Sequence, residues 1–162
     1  MRVLFSILVV WSTLIGLPSQ AQPTKASGLY GVWAVDVSRL PQPPQARPKS
    51  VSISFSQARN GGLTTRVDVS DAAAAQTYAE STTTLDGTPS PVQGNLEANV
   101  AATTMPVPGV LVMQLARGGT PASTRIYAVS DDGKSMVETV AYFGSDGTPI
   151  LRTHYFARVA PR

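Results

Sequence analysis

The chain has 162 residues, with 13 lysines and arginines against 10 acidic residues, one histidine and no cysteine. The absence of cysteine excludes disulfides and a thiol nucleophile, and with a single histidine a zinc site cannot be assembled from one chain. The weak positive charge is scattered along the sequence, so no basic stripe indicates binding to nucleic acid.

The N-terminal segment has the layout of an export signal. A positive Met1-Arg2 start is followed by an apolar run over residues 3–17 and by small residues up to Ala21. This pattern is typical of a secretory signal peptide, and the run is shorter than the roughly 20 apolar residues of a membrane span. We therefore expect a signal peptide over residues 1–21, a polar lead-in over 22–27 and one domain over 28–162. The predicted location is the periplasm or the extracellular medium, without a membrane-spanning segment.

Short β-like segments separated by turns fill the rest of the chain. The clearest has Val51, Ile53 and Phe55 alternating with serines, the period-two pattern of a half-buried strand. Nine strands are predicted in this way, over residues 29–37, 51–56, 63–69, 77–85, 98–104, 110–116, 124–130, 136–143 and 150–159. No segment has a helical period long enough for a real helix. The pattern predicts an antiparallel sandwich or barrel.

The connections between these strands carry turn residues. Asn60-Gly61, Asp86-Gly87, Asp132-Gly133 and Asp146-Gly147 are pairs that favour tight hairpins. Residues 71–75, an aspartate and four alanines, fit a loop or a single helical turn. Residues 41–48 contain prolines at four positions, which predicts a stiff connection between the first and second strands.

One carboxylate lies among apolar neighbours. Glu138 shares its strand face with Met136, Val140 and Tyr142, which makes it the best candidate for a buried, functionally placed acid. The favoured interpretation is nevertheless a solvent-facing glutamate whose apolar neighbours lie at a rim.

The single histidine does not complete a catalytic motif. His154 lies on the last predicted strand, and we interpret it as a partly exposed strand residue in preference to a catalytic base. No Gly-x-Ser-x-Gly nucleophile elbow occurs in the sequence. We therefore expect no enzyme, no metal and no cofactor; Glu138 and His154 would be the first residues to test if an activity were found.

The first strand carries a family motif. Gly31-x-Trp33 in a small exported all-β chain resembles the lipocalin and wider calycin pattern. The resemblance implies that Trp33 closes one end of a barrel and that an arginine from a late strand, here Arg158, packs across its ring.

A closer likeness covers nearly all of the chain after residue 21. The motifs resemble those of small exported lipocalin-like proteins of bacteria, which are mostly uncharacterised. They are Gly31, Trp33 and Asp36, then Pro48-Lys49-Ser50, then Asp86-Gly87-Thr88-Pro89 with Gly94, and finally Arg125 with residues 129–136, "VSDDGKSM". The resemblance implies a single antiparallel up-and-down β-barrel of about eight to ten strands.

A barrel of this size can hold one small apolar ligand. Strand alternation supplies the candidate lining residues, which are Val51, Ile53, Phe55, Val67, Val112, Glu138, Tyr142 and Phe156. The leading hypothesis is a monomeric binding module; these side chains could also simply pack together as a solid core. The alternative function is an envelope or secreted interaction or inhibitor protein that acts through surface loops, such as residues 41–48 or 118–121. The sequence leaves any protein partner open.

Overall fold

The computed structural model describes residues 28–59, 61–94 and 96–160. The predicted signal peptide (residues 1–21) and polar lead-in (residues 22–27) lie outside the described residues, as do Asn60 of one predicted turn and the last two residues of the predicted domain.

Ten antiparallel strands form the described part of the chain. They are β1 (Gly31–Val35), β2 (Ser50–Gln57), β3 (Leu63–Ser70), β4 (Gln76–Thr83), β5 (Ser90–Gly94), β6 (Val100–Val107), β7 (Val110–Arg117), β8 (Thr120–Val129), β9 (Ser135–Phe143) and β10 (Pro149–Arg158). Each strand pairs with the next along the chain, and β10 returns to pair with β1. The predicted all-β, up-and-down barrel is confirmed, at the upper end of the expected number of strands.

The strand that the sequence did not reveal is β5. It has only five residues and includes Pro91, which has no N–H to give to a neighbouring strand. Its ladder is correspondingly short: Ala79–Ser81 of β4 face it on one side, and only Ser90 and Pro91 are in register with β6 on the other. β5 is therefore the most weakly paired strand of the barrel wall.

The connection from β1 to β2 crosses one end of the barrel. It contains two short 3-10 turns, Val37–Arg39 and Pro44–Ala46, and Asp36 caps the first by accepting the backbone N–H of Ser38 at 3.1 Å. Leu40, between the turns, is 9% exposed. We call the segment from Asp36 to Lys49 the strap. The predicted stiff connection thus covers the barrel end at which β1 finishes.

The barrel is packed solid at the opposite end, where β1 begins. Leu29, Trp33, Phe55 and Leu63 are all at most 1% exposed there. Tyr127 packs edge-on against Phe55, with 5.5 Å between ring centroids. This filled half leaves the interior space to the half beneath the strap.

Within the described residues, no helix is long and apolar enough to cross a membrane.

Candidate functional site

A cavity of about 340 Å³ occupies the half of the barrel beneath the strap. Most of its wall is aliphatic or aromatic and comes from β1, β2, β3, β5, β7 and β10. The apolar lining side chains include Val35, Leu40, Val51, Ile53, Val67, Val69, Val92, Met113, Leu115 and Phe156. Leu40 shows that the strap contributes to the wall, so the β1–β2 connection forms part of the cavity.

Five of the predicted lining residues contribute to this wall: Val51, Ile53, Val67, Glu138 and Phe156. The predictions for Phe55, Val112 and Tyr142 need correction.

Phe55 points inward but belongs to the solid half of the barrel, where its ring packs against Tyr127. Val112 lies on the outer face, because the inward residues of β7 are Leu111, Met113 and Leu115. The sequence "VLVMQLA" did not reveal which residues of β7 point inward, because apolar residues occupy both faces of the strand. Tyr142 does not line the cavity but lies in a second, neighbouring recess.

Glu138 is the centre of a polar wall on β8, β9 and β10. Its side chain is 3% exposed, which rules out the solvent-facing interpretation. Arg125 Nη1 donates to Glu138 Oε1 at 2.6 Å, and Glu138 Oε2 lies 2.7 Å from Nδ1 of His154. The strand register explains the meeting, because Glu138 is directly opposite His154 on one neighbouring strand and Tyr127 on the other. All three strands therefore direct a polar side chain to one point.

A second carboxylate extends this wall toward the mouth. Glu97, in the turn between β5 and β6, accepts hydrogen bonds on Oε1 from Nε of Arg125 at 2.9 Å and from Nη2 at 2.6 Å. Ser123 donates to the same oxygen at 3.1 Å. Each nitrogen of the Arg125 guanidinium thus donates to a carboxylate. We call Glu97, Arg125, Glu138 and His154 the polar wall.

Burial and neighbouring charges act on Glu138 in opposite directions. Burial raises the pKa of its carboxyl group, but the hydrogen bond with His154 and the positive charge of Arg125 outweigh it, so the pKa lies below its usual value. For Tyr127, burial and the nearby Glu138 charge raise the pKa of the phenol well above its ordinary value. Glu138 is therefore a carboxylate at neutral pH, and Tyr127 is a neutral phenol.

One buried polar atom in the cavity wall has no partner. Thr65 is 5% exposed and lines the cavity from β3, and its Oγ1 has no hydrogen-bond partner within the described ranges. Buried hydroxyls in proteins are normally paired because an unmade hydrogen bond costs free energy. This hydroxyl is therefore a point at which a bound molecule could supply a polar atom.

The mouth is a more open recess that shares His154 and Arg125 with the cavity. Arg152 and Tyr142 line it, and Nε of Arg152 donates to the Tyr142 hydroxyl at 2.7 Å. Gln42 of the strap borders both spaces. A molecule entering from this end would pass the polar wall before it reached the apolar interior.

The closed end is built from the three residues that the resemblance singled out. Trp33 is completely buried and donates from Nε1 to the carbonyl of Leu29 at 2.9 Å. Arg158 covers the indole and also donates to the carbonyls of Gly28, Tyr30 and Gly133. Gly31 has φ +129°, and a Cβ there would lie 2.6 Å from Nη1 of Arg158. None of the three lines the cavity, so their role is structural.

Sequence reasoning missed Arg125, Glu97 and Thr65 as site residues. Arg125 shares its strand parity with Tyr127, and this signal could have placed it inside. Thr65 lay on the predicted inward face of β3, but a threonine there gives no sign that it will be unpaired. Glu97 lies in a turn, where alternation carries no information. His154, 20% exposed, is an inward-facing partner of Glu138.

In the described part of the chain, no group of three or more histidine and acidic side chains is placed to hold a metal ion. No protein-family model matches this sequence, and no curated protein shows significant similarity to it.

Proposed function

We propose that this protein binds a small, mostly apolar molecule inside its barrel. The observation that carries the proposal is the cavity of about 340 Å³, with aliphatic and aromatic walls and one polar side. Ligand sites are commonly apolar hollows of about 300–1,000 Å³ in which a few polar groups fix the orientation of the ligand. The cavity lies at the small end of that range.

The division of the barrel into two halves supports the same proposal. The packed half, with Trp33 and Phe55, supplies stability, so the other half can remain hollow without loss of the fold. A cavity lined only by aliphatic groups would bind with little orientation. Glu138, held by Arg125 and His154, adds a rigid polar reference point on one side.

We also propose that the protein is an exported member of the lipocalin-like group. The signal-like residues 1–21 favour export. The family assignment is supported by the arrangement of Gly31, Trp33 and Arg158 at the closed end of an up-and-down barrel.

The test is a titration of the purified protein with a fluorescent apolar probe, N-phenylnaphthylamine, in which binding is followed by the fluorescence of the probe. Two variants form a matched pair: Val67→Phe adds volume to the cavity wall, and Val112→Phe adds the same volume to the outer face. We expect saturable binding by the wild type, at least about tenfold weaker binding by Val67→Phe, and unchanged binding by Val112→Phe.

A folded wild type that does not bind the probe, or equal effects of the two variants, would overturn the proposal. If the probe binds as expected, mass spectrometry of the organic extract from protein purified out of its native host would identify the bound molecule directly.

A further inference from the structure

We infer that the ligand is an uncharged, mostly apolar alcohol whose hydroxyl donates a hydrogen bond to Nε2 of His154. This inference rests on the proposed binding function and adds the chemical class of the ligand. It starts from the geometry of His154, whose side chain borders the cavity and whose contact with Glu138 fixes the roles of its two ring nitrogens.

The contact with Glu138 determines which nitrogen of His154 carries the proton. Nδ1 lies 2.7 Å from Oε2 of Glu138, and that carboxylate can only accept hydrogen bonds. Nδ1 must therefore be the donor, and in the neutral ring Nε2 is left with a lone pair. Among the described residues none hydrogen-bonds to Nε2, and the side chain borders both the cavity and the mouth. His154 thus offers an acceptor to a molecule in the cavity.

The charges of the polar wall argue against an anionic ligand such as a fatty acid. Arg125 is the cation nearest the cavity, but its three guanidinium nitrogens already donate to Glu97 and Glu138. A ligand carboxylate could reach only the two remaining N–H groups of this guanidinium, and there it would lie beside the negative charges of Glu97 and Glu138. Moving an uncompensated charge into such a site is unfavourable, because the charge loses its hydration without gaining a free partner. A neutral hydroxyl group is not repelled by these carboxylates and brings no charge into the site.

The unpaired hydroxyl of Thr65 is an independent sign that the ligand has polar character. Thr65 is 5% exposed and lines the cavity from β3, a strand that contributes no residue to the polar wall. A purely hydrocarbon ligand would leave this hydroxyl unsatisfied, whereas a ligand with an oxygen at that depth would pair it.

The experiment compares three ligands of similar size at about pH 8, where a carboxylic acid such as octanoate is ionised. Octanol and its isomer heptyl methyl ether differ in the hydroxyl donor, and octanoate carries a charge. Affinities are measured by displacement of N-phenylnaphthylamine and by calorimetry. We expect the wild type to bind octanol about 3- to 10-fold more tightly than the ether, the range that one hydrogen bond contributes, and to bind octanoate more weakly than either.

Two variants of His154 assign the preference to one nitrogen. His154→Asn places an amide near the position of Nδ1 and removes the acceptor at Nε2, so the preference for octanol should disappear. His154→Gln places an amide near the position of Nε2 and should keep part of it. Thr153→Ala is the control: Thr153 precedes His154 in the chain and is exposed on the outer face of β10. This variant should bind all three ligands as the wild type does.

The outcomes separate the two proposals. If the protein binds none of the ligands and no probe, the binding function itself is wrong. If it binds the ether or octanoate as tightly as octanol, or if His154→Asn keeps the preference for octanol, the binding function stands and the inference about the hydroxyl is overturned.

Discussion

Arg158 lies directly opposite Trp33 on the neighbouring strand, with its guanidinium carbon 4.1 Å from the centre of the indole ring. The same guanidinium donates to a backbone carbonyl just before β1, 2.7 Å away on Tyr30, and to one in the β8–β9 turn, 2.6 Å away on Gly133. One side chain therefore ties β10, the residues before β1 and the β8–β9 turn to the packed half of the barrel.

Trp33→Ala should lower the free energy of unfolding by about 3–5 kcal/mol, because it removes a completely buried aromatic side chain. Urea denaturation measures the change. The affinity for N-phenylnaphthylamine should be retained in the folded variant, since Trp33 does not line the cavity. A loss of less than about 1 kcal/mol would show that the closed end does not depend on the indole.

Gly94→Ala should be more destabilising than Gly147→Ala. Both glycines have positive φ, 106° and 79°, so both variants share the cost of backbone strain, about 1–3 kcal/mol. Only at Gly94 would a Cβ overlap a neighbour, the carbonyl oxygen of Tyr78, whereas the space around Gly147 is open. Thermal unfolding of the two variants measures the difference; equal effects would contradict a close approach of β5 to β4.

Thr65→Val should leave the ligand-free protein as stable as the wild type or more stable by up to about 1 kcal/mol, because it removes an unpaired buried hydroxyl. Thr103→Val is the matched control. Thr103 is also buried, but its hydroxyl lies 2.5 Å from that of Thr83 and donates to the carbonyl of Thr84 at 3.1 Å. The control should lose about 1–3 kcal/mol. Denaturation in urea compares them, and a clear loss in Thr65→Val would reveal a partner for that hydroxyl.

Glu138→Gln should destabilise the protein by about 3 kcal/mol near neutral pH, since it breaks a buried ion pair. The folded pKa of Glu138 lies below its unfolded value, so the charged carboxylate favours folding. This contribution is fully present above the unfolded pKa of about 4.3 and is lost as the pH falls through the folded pKa. The difference between wild type and variant should therefore shrink as the pH falls below about 4.

Glu80→Gln is the control for that series. Glu80 pairs with Arg66 on the outer face at 3.1 Å, and both side chains are about 40% exposed. An exposed pair of this kind contributes about 0–1 kcal/mol. Equal losses in the two variants, measured by unfolding over the same pH range, would contradict a special role for the buried carboxylate.

Strand alternation was sufficient to predict an antiparallel all-β fold and part of the site, and the family resemblance favoured a barrel over a sandwich. The serines between Val51, Ile53 and Phe55 made the phase of β2 unambiguous. The solvent-facing interpretation of Glu138 was wrong, although the residue shares its parity with the buried Met136 and Val140. Alternation failed at Val112 because β7 carries apolar residues on both faces. It also could not find β5, which is too short and contains a proline.

The meeting of Arg125 with Glu138 and His154 depends on register, and register is not visible in one sequence. A shift of one residue between β8 and β9 would turn Arg125 to the opposite face from Glu138. Only the paired register across three strands reveals that the polar wall exists. For the same reason, the boundary between the solid and hollow halves could not be predicted: Phe55 and Ile53 have the same parity, but one fills the core and the other lines the cavity.

The short pairing of β5 has a consequence for the way the barrel exchanges with its surroundings. A closed cylinder of strands presents no edge, and it opens most readily where the fewest backbone hydrogen bonds must break at once. That seam lies beside Val92 and Glu97, on the rim of the cavity. Amide protons of β5 should therefore exchange with solvent faster than those of β9, and an opening at this seam would reach the cavity without any movement of the strap.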